Sequence, residues 1–184
     1  MDILSILIVL VIIGVVVLFF FVVGPESQAP RRADAWAHVV SLIGGTERRG
    51  KISGSYQGRA VEVFLADHGD ETTFYYYHLR LKVPIRGFDW TIRFDTTTFL
   101  DPTKRWHIKS SEEALKQKLT DAGALELVKQ AAGRPDVRYR ADKGTLEYER
   151  YVGEDTYVPT PDEFAAQLNL LTRLADLNEE LNVW

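Results

Sequence analysis

Hydrophobic and polar positions divide this 184-residue chain into two unequal parts. From Ile3 to Val23 the sequence is apolar and uncharged, broken only by Ser5 and Gly14. At ~1.5 Å per helical residue such a run matches a hydrocarbon core of roughly 30 Å, so the pattern predicts one transmembrane helix over residues 1–23. Gly24-Pro25-Glu26-Ser27-Gln28-Ala29-Pro30 has the Pro, Gly and Ser content of a linker, assigned to 24–32. Residues 33–184 alternate charge with hydrophobicity and read as a single water-soluble domain of ordinary size.

Within that domain the period of the apolar positions changes twice. Trp36, Val39, Val40 and Ile43 recur at helical spacing and stop at Gly44-Gly45, a short amphipathic helix. Lys51 to Ser55 and Arg59 to Ala66 flank Tyr56-Gln57-Gly58, a strand, tight turn and strand. Thr72 to Val83 is a β-branched and aromatic run. In it Tyr75, Tyr77, Leu79, Leu81 and Val83 point one way, and Phe74, Tyr76, His78, Arg80 and Lys82 the other. After Pro84 and Gly87, Trp90, Ile92 and Phe94 alternate with Thr91, Arg93 and Asp95. These segments predict a four-strand antiparallel meander whose buried face includes Val61, Val63, Tyr75, Tyr77, Leu79, Trp90 and Ile92.

The helical period returns at Ser110, which forms a capping box with Glu113, and again through Leu125 and Val128 to Gly133. Val137 to Ala141 and Thr145 to Val152 bracket Asp142-Lys143-Gly144 as a hairpin. Thr160, Pro161 and Glu163 supply an N-cap, a first-turn proline and the acid of a second capping box for a long helix ending near Asn182. The expected fold is α+β: a membrane helix, then an antiparallel sheet of meander plus hairpin with helices over one face.

Charge bears on placement more than on fold. No Lys or Arg precedes the apolar run, whereas Arg31 and Arg32 follow it, with Arg48, Arg49 and Lys51 beyond. The expected topology is a single-pass anchor in an inner membrane with the domain in the cytoplasm. The missing basic n-region and the prolines after Gly24 and Ala29 argue for a retained anchor over a cleaved signal. The chain contains no cysteine, which excludes a lipidated Cys anchor and disulfides. Its formal net charge of -4 gives no global basic field for nucleic acid or anionic lipid.

Candidate chemistry is sparse. Asp67-His68-Gly69-Asp70-Glu71 gathers three carboxylates and an imidazole, yet lacks the ligand spacing of zinc or calcium loops and reads as a solvated turn. His38 and His107 read as structural. Gly54-Ser55-Tyr56-Gln57-Gly58 joins two strands and lacks nucleophile-elbow spacing, and no Gly-rich phosphate loop opens a helix. No catalytic residue, metal ligand or cofactor site is assigned.

Two surfaces remain. Tyr76, His78, Arg80, Lys82 and Arg93 form an aromatic and basic strip on the polar sheet face. Leu170, Leu174, Leu177, Leu181 and Trp184 form one stripe on the last helix, beside a second made by Phe164, Leu168, Leu171 and Ala175. One stripe must pack on the sheet; the other is available to a partner helix or widens the core face. Phe19, Phe20 and Phe21 are the candidate membrane contacts, facing lipid or another transmembrane helix.

The Trp-bearing helix, the hairpin Gly54-x-Tyr56-x-Gly58-Arg59-x-Val61-x-Val63 and the Phe94-Asp95 and Phe99 segment resemble a group of uncharacterised bacterial membrane-anchored domains that end in a hairpin and a Leu/Ala-rich helix. That resemblance, over Trp36 to Asn182, implies a bacterial origin and a fold, and no activity. The functional expectation is a membrane-tethered, non-enzymatic interaction domain, an accessory or scaffolding subunit whose partners are the lipid bilayer and other membrane-protein subunits. The alternatives are a membrane-anchored metal-dependent hydrolase using the His68 loop, or a small-ligand sensor.

Overall fold

The computed structural model describes residues 34–67, 74–95 and 106–183. The Ile3 to Val23 run with Phe19, Phe20 and Phe21, the linker, His68 to Glu71, Phe99 and Trp184 lie outside the described residues. Among the described residues no helix is long and apolar enough to cross a membrane.

The alternating segments assemble into one eight-stranded antiparallel sheet. Its strands are β1 (Thr46–Arg48), β2 (Lys51–Tyr56), β3 (Arg59–Asp67), β4 (Tyr75–Lys82), β5 (Trp90–Phe94), β6 (Trp106–Ser110), β7 (Asp136–Arg140) and β8 (Thr145–Tyr151). Their order across the sheet is β1-β2-β3-β4-β8-β7-β5-β6. Among the described residues four helices accompany it: α1 (Ala37–Ile43), α2 (Glu113–Asp121), α3 (Ala124–Lys129) and the long α4 (Pro161–Leu181).

One face of the sheet makes the core. Ile52, Val63 and Leu79 lie side by side across β2, β3 and β4, and Leu81, Leu146 and Tyr139 continue the face across β4, β8 and β7. All are buried, as are Val61, Tyr77, Trp90 and Ile92; Tyr75, at the strand end, is half-buried. The expected alternation therefore holds from β3 to β5. All four helices lie on this face. Gly54 leaves room for Ile43 of α1, because a Cβ there would press on the Ile43 backbone and side chain. The Tyr77 hydroxyl donates to Gln167 of α4 at 2.9 Å, and the Trp90 indole N–H donates to Asn178 at 2.7 Å.

Three details differ from the sequence reading. Trp90–Phe94 does not extend the meander: β8 and β7 stand between it and β4. The reason lies in residues 83–89, which run under the end of the hairpin. There the Tyr139 hydroxyl accepts from the Arg86 N–H at 2.9 Å, while the Asn182 amide donates to the Phe88 carbonyl at 2.9 Å and accepts from the Phe88 N–H at 2.9 Å. Seven residues tied down in this way span a crossing and cannot form a tight turn. Second, Trp106–Ser110, to which the sequence pattern assigns no strand, pairs with β5 at the end of the sheet. Third, Ser110 does not cap α2: its hydroxyl donates to the Asp89 carbonyl and accepts from the Glu112 N–H, and the helix starts from Glu112 without a side-chain cap.

Other local readings hold. Gln57 and Gly58 both have positive φ, the signature of a two-residue type I′ hairpin between Tyr56 and Arg59. Thr160 accepts from the Glu163 N–H at 3.2 Å as the N-cap of α4. Gly87 has φ +50, and a Cβ there would overlap the Asn182 side-chain oxygen. Gly87→Ala is therefore expected to lower stability by ~1–2 kcal/mol, or more where the Asn182 clasp is lost, read as a reduced urea midpoint.

Candidate functional site: the helix-free sheet face

The opposite face carries the side chains that alternate with the core set. Arg48, Lys51, Arg80, Lys82, Arg93, Lys109, Arg138 and Arg140 share it with Glu62, Asp136, Glu147 and Glu149. Among the described strand residues cations thus outnumber carboxylates two to one on this face, in a chain whose formal net charge is -4.

Register pairs these charges across strands. Lys51 meets Glu62 at 2.7 Å, Arg80 Nε donates to Glu147 at 2.7 Å, and Arg138 donates to Glu149 at 2.8 Å. His78 lies at the centre. Its Nδ1 is 3.0 Å from Glu147 and 3.6 Å from Glu149, and its ring stacks on Phe64 at 4.8 Å between centroids with 9° between planes. The Arg80 guanidinium covers the same Phe64 ring at 4.6 Å. His78 and Glu147 are buried at 3% exposure although no helix covers this face among the described residues.

Electrostatics follow from these neighbours. Burial pushes the Glu147 carboxyl up, but hydrogen bonds from His78 and Arg80 outweigh it and hold the group at about 2. Asp136 is raised, first by burial and then by the Glu149 carboxylate. His107 is lowered by burial and by Lys109 and Arg93.

His78, Glu147 and Glu149 offer ligand atoms within 4.8 Å of one another, close enough to surround a cation. Both carboxylates, however, already hold an arginine, and a divalent ion would have to displace Arg80 and Arg138 or sit beside them. The donor set suits a cross-strand ion-pair ladder better than a metal centre.

Of the strip expected from sequence, Tyr76, His78, Arg80 and Lys82 fall on β4, and Arg93 shares their face. Arg93 is three strands away, ~14 Å at ~4.8 Å per strand, because β8 and β7 intervene. The residues between them, Glu147, Glu149 and Arg138, were not singled out from sequence. Their alternation with Leu146, Tyr148 and Val137 is visible there; their position beside His78 depends on strand order.

The α4 stripes are both engaged within the domain. Leu174, Phe164, Leu168, Leu171 and Ala175 are fully buried, Leu170 is 9% exposed, and Leu177 and Leu181 are half-buried. Contacts with α2 and α3 as well as the sheet make this a broad core face. Leu177 lines a surface groove with Ala122, Gly123, Leu127, Arg173, Asp176 and Glu180.

A second polar cluster lies under α4. Tyr77 packs edge-on against Tyr148 and Tyr157, Arg150 pairs with Glu163, and the Tyr157 hydroxyl donates to Glu163 at 2.9 Å. Burial raises the Tyr148 phenol to about 12 and Tyr77 well above its ordinary value, so both remain neutral donors. Every charged member is paired inside the domain, and the cluster clasps the start of α4. His38 plays a similar part: its Nε2 lies 2.8 Å from the Pro159 carbonyl.

Comparison with protein-family models, curated proteins and solved structures gives no match.

Proposed function

We propose that this chain is a membrane-tethered, non-enzymatic interaction domain, an accessory or scaffolding subunit of a larger bacterial membrane complex. In this reading residues 1–23 anchor it in the inner membrane, residues 24–32 are a short cytoplasmic tether, and the helix-free sheet face meets another membrane subunit. The observation that carries the reading is the division of the sheet: among the described residues, helices occupy one face, and the other presents an ordered, predominantly basic ladder in an acidic chain. Such a face suits a partner with an acidic surface, since complementary charge sets orientation and partner choice. Tethering raises the effective concentration of both molecules, so a modest contact suffices.

Gentle detergent extraction of the full-length chain tests this. A membrane subunit is expected to co-purify, and Lys82→Glu with Arg93→Glu should weaken its retention about tenfold at matched salt while the melting temperature holds. Deleting Ile3 to Val23 should also reduce it. A purified chain that turns over a substrate, or a deletion strain complemented by the anchor-free domain at normal expression, would contradict the reading.

A further inference from the structure

We propose that Lys82, Thr145 and Arg140, at the hairpin-turn corner of the helix-free sheet face, form a binding site for a phosphoryl group carried by the docking partner. The inference rests on the reading of this face as the docking face and names the chemistry that it recognises.

Register builds the corner. Thr145 opens β8 and lies directly between Lys82 of β4 and Arg140 of β7. Its neighbour Leu146 belongs to the core face, so alternation turns the Thr145 side chain to the helix-free face with those of Lys82 and Arg140. At ~5 Å between adjacent strands the two cations stand roughly 10 Å apart at the backbone, a gap that two long side chains close from opposite sides over one hydroxyl. Among the described residues the Thr145 hydroxyl makes no hydrogen bond, and the Arg140 guanidinium has neither a hydrogen bond nor an ion pair. The Lys82 ammonium donates to the Lys143 carbonyl at 3.1 Å, which holds it at the turn and leaves two of its three protons for a ligand.

The carboxylates around this corner are largely committed. Glu147 is held by His78 and Arg80, Glu149 by Arg138, and Asp89 accepts from the Ala141 N–H at 2.6 Å. Asp142 lines the groove beside Ile85 and Asn182, at the end of α4. Against the exposed Asp89 and Asp142 stand Lys82, Arg140 and Lys143 at the corner and Lys109 further along the face, none with a carboxylate partner among the described residues. Every strand end that borders the corner, at Lys82, Trp90, Ser110, Arg140 and Thr145, continues into described residues.

A phosphorylated hydroxyl suits this set better than a carboxylate does. It brings a charge of about -1.5 to -2 at pH 7 and three acceptor oxygens, one each for the ammonium, the hydroxyl and the guanidinium. A carboxylate brings one charge and two oxygens. The surface is a flat sheet face, with Lys82 exposed and Arg140 half-buried, so it grips only the tip of a ligand. A group projecting from another protein gains the rest of its contact along the ladder, from Arg138 and Lys109, where a free ion would not.

The full-length chain, isotope-labelled in detergent micelles, tests the site by titration with inorganic phosphate and with acetate at matched ionic strength. Phosphate should move the amide resonances of Lys82, Arg140 and Thr145, and acetate should not. Thr145→Val, which keeps the branched shape and removes the hydroxyl, should weaken phosphate about tenfold, as should Arg140→Gln, while Arg48→Gln on the edge strand β1 leaves it unchanged and all three melt with the parent. Acetate as effective as phosphate, no movement at the three residues, or undiminished affinity in a folded Thr145→Val chain would overturn the site. The carrier is tested by treating membranes with phosphatase until dephosphorylation is complete and then extracting the chain in mild detergent. Retention of the co-purifying subunit should fall about tenfold, as it should for untreated Thr145→Val. A subunit retained undiminished after phosphatase overturns the phosphoryl group as the recognised chemistry and leaves the docking face standing. A chain that binds phosphate but retains no membrane subunit overturns the docking reading and, with it, the partner as carrier.

Discussion

Replacing Val63 by Asp is expected to unfold the domain. Val63 is wholly buried on β3, with Ile52 of β2 and Leu79 of β4 as its cross-strand neighbours. A carboxylate there has the apolar Ile52 and Leu79 as cross-strand neighbours, while Arg150 on the same face is already paired with Glu163, so it must either stay charged in an apolar layer or take up a proton. Both routes cost several kcal/mol against a typical total stability of about 5–15 kcal/mol. The adjacent Glu62 points to the other face, so Glu62→Gln should lose only the Lys51 pair, a few tenths of a kcal/mol. Urea unfolding followed by far-ultraviolet circular dichroism separates the two. A Val63→Asp domain with a cooperative transition near the parent midpoint would mean that the faces are assigned the wrong way round, since a one-residue slip exchanges them.

Glu147→Ala should carry the second-largest penalty, ~3 kcal/mol or more, although its side chain lies on the face without helices. Its carboxylate accepts from both His78 and Arg80 while itself 3% exposed, and its removal leaves those donors beside Glu149 alone. The same group predicts a pH dependence. Its folded value, about 2, lies below the ordinary 4.5, so its contribution is complete above about pH 4.5 and is lost as pH falls toward 2. At 1.36 kcal/mol per unit the loss amounts to ~3 kcal/mol. Asp136 opposes it: with a raised value, it favours the folded state as the pH falls. Stability measured from pH 7 to pH 3 should therefore drop steeply in the parent and more gently in Glu147→Gln. Parallel profiles would show that Glu147 is not the group holding the ladder together.

What could be read from the sequence was local. The type I′ turn at Gln57-Gly58, the Thr160 cap and the alternation from Val61 to Ile92 depend on near neighbours, and each formed as its residues dictate. Strand order did not follow, because the insertion of the β7-β8 hairpin between β4 and β5 is decided by Tyr139 and Asn182 holding residues 83–89 across a gap. Those partners lie 53 and 94 residues from the bonds they make. The candidate face was half legible for the same reason. Tyr76, His78, Arg80 and Lys82 lie on one strand and were found together, whereas Glu147, Glu149 and Arg138 joined them only once the hairpin was in place. Of the two readings of the α4 stripes, the broad core face is the one formed: α4 contacts α2 and α3 as well as the sheet, and the helical period through Leu125 and Val128 marks a helix without showing what it packs against.

The central claim, a tethered domain that works through its helix-free face, is tested most directly by photo-crosslinking in living cells. A crosslinking side chain placed at Lys82 or Arg93 of the full-length chain faces the proposed partner; one placed at Arg173 or Lys118 faces outward from the helical layer. The account predicts a discrete membrane-protein adduct of the same mass from positions 82 and 93, lost when Ile3 to Val23 is deleted, with none from 173 or 118. Adducts confined to the helical layer, or undiminished from an anchor-free chain, would contradict it.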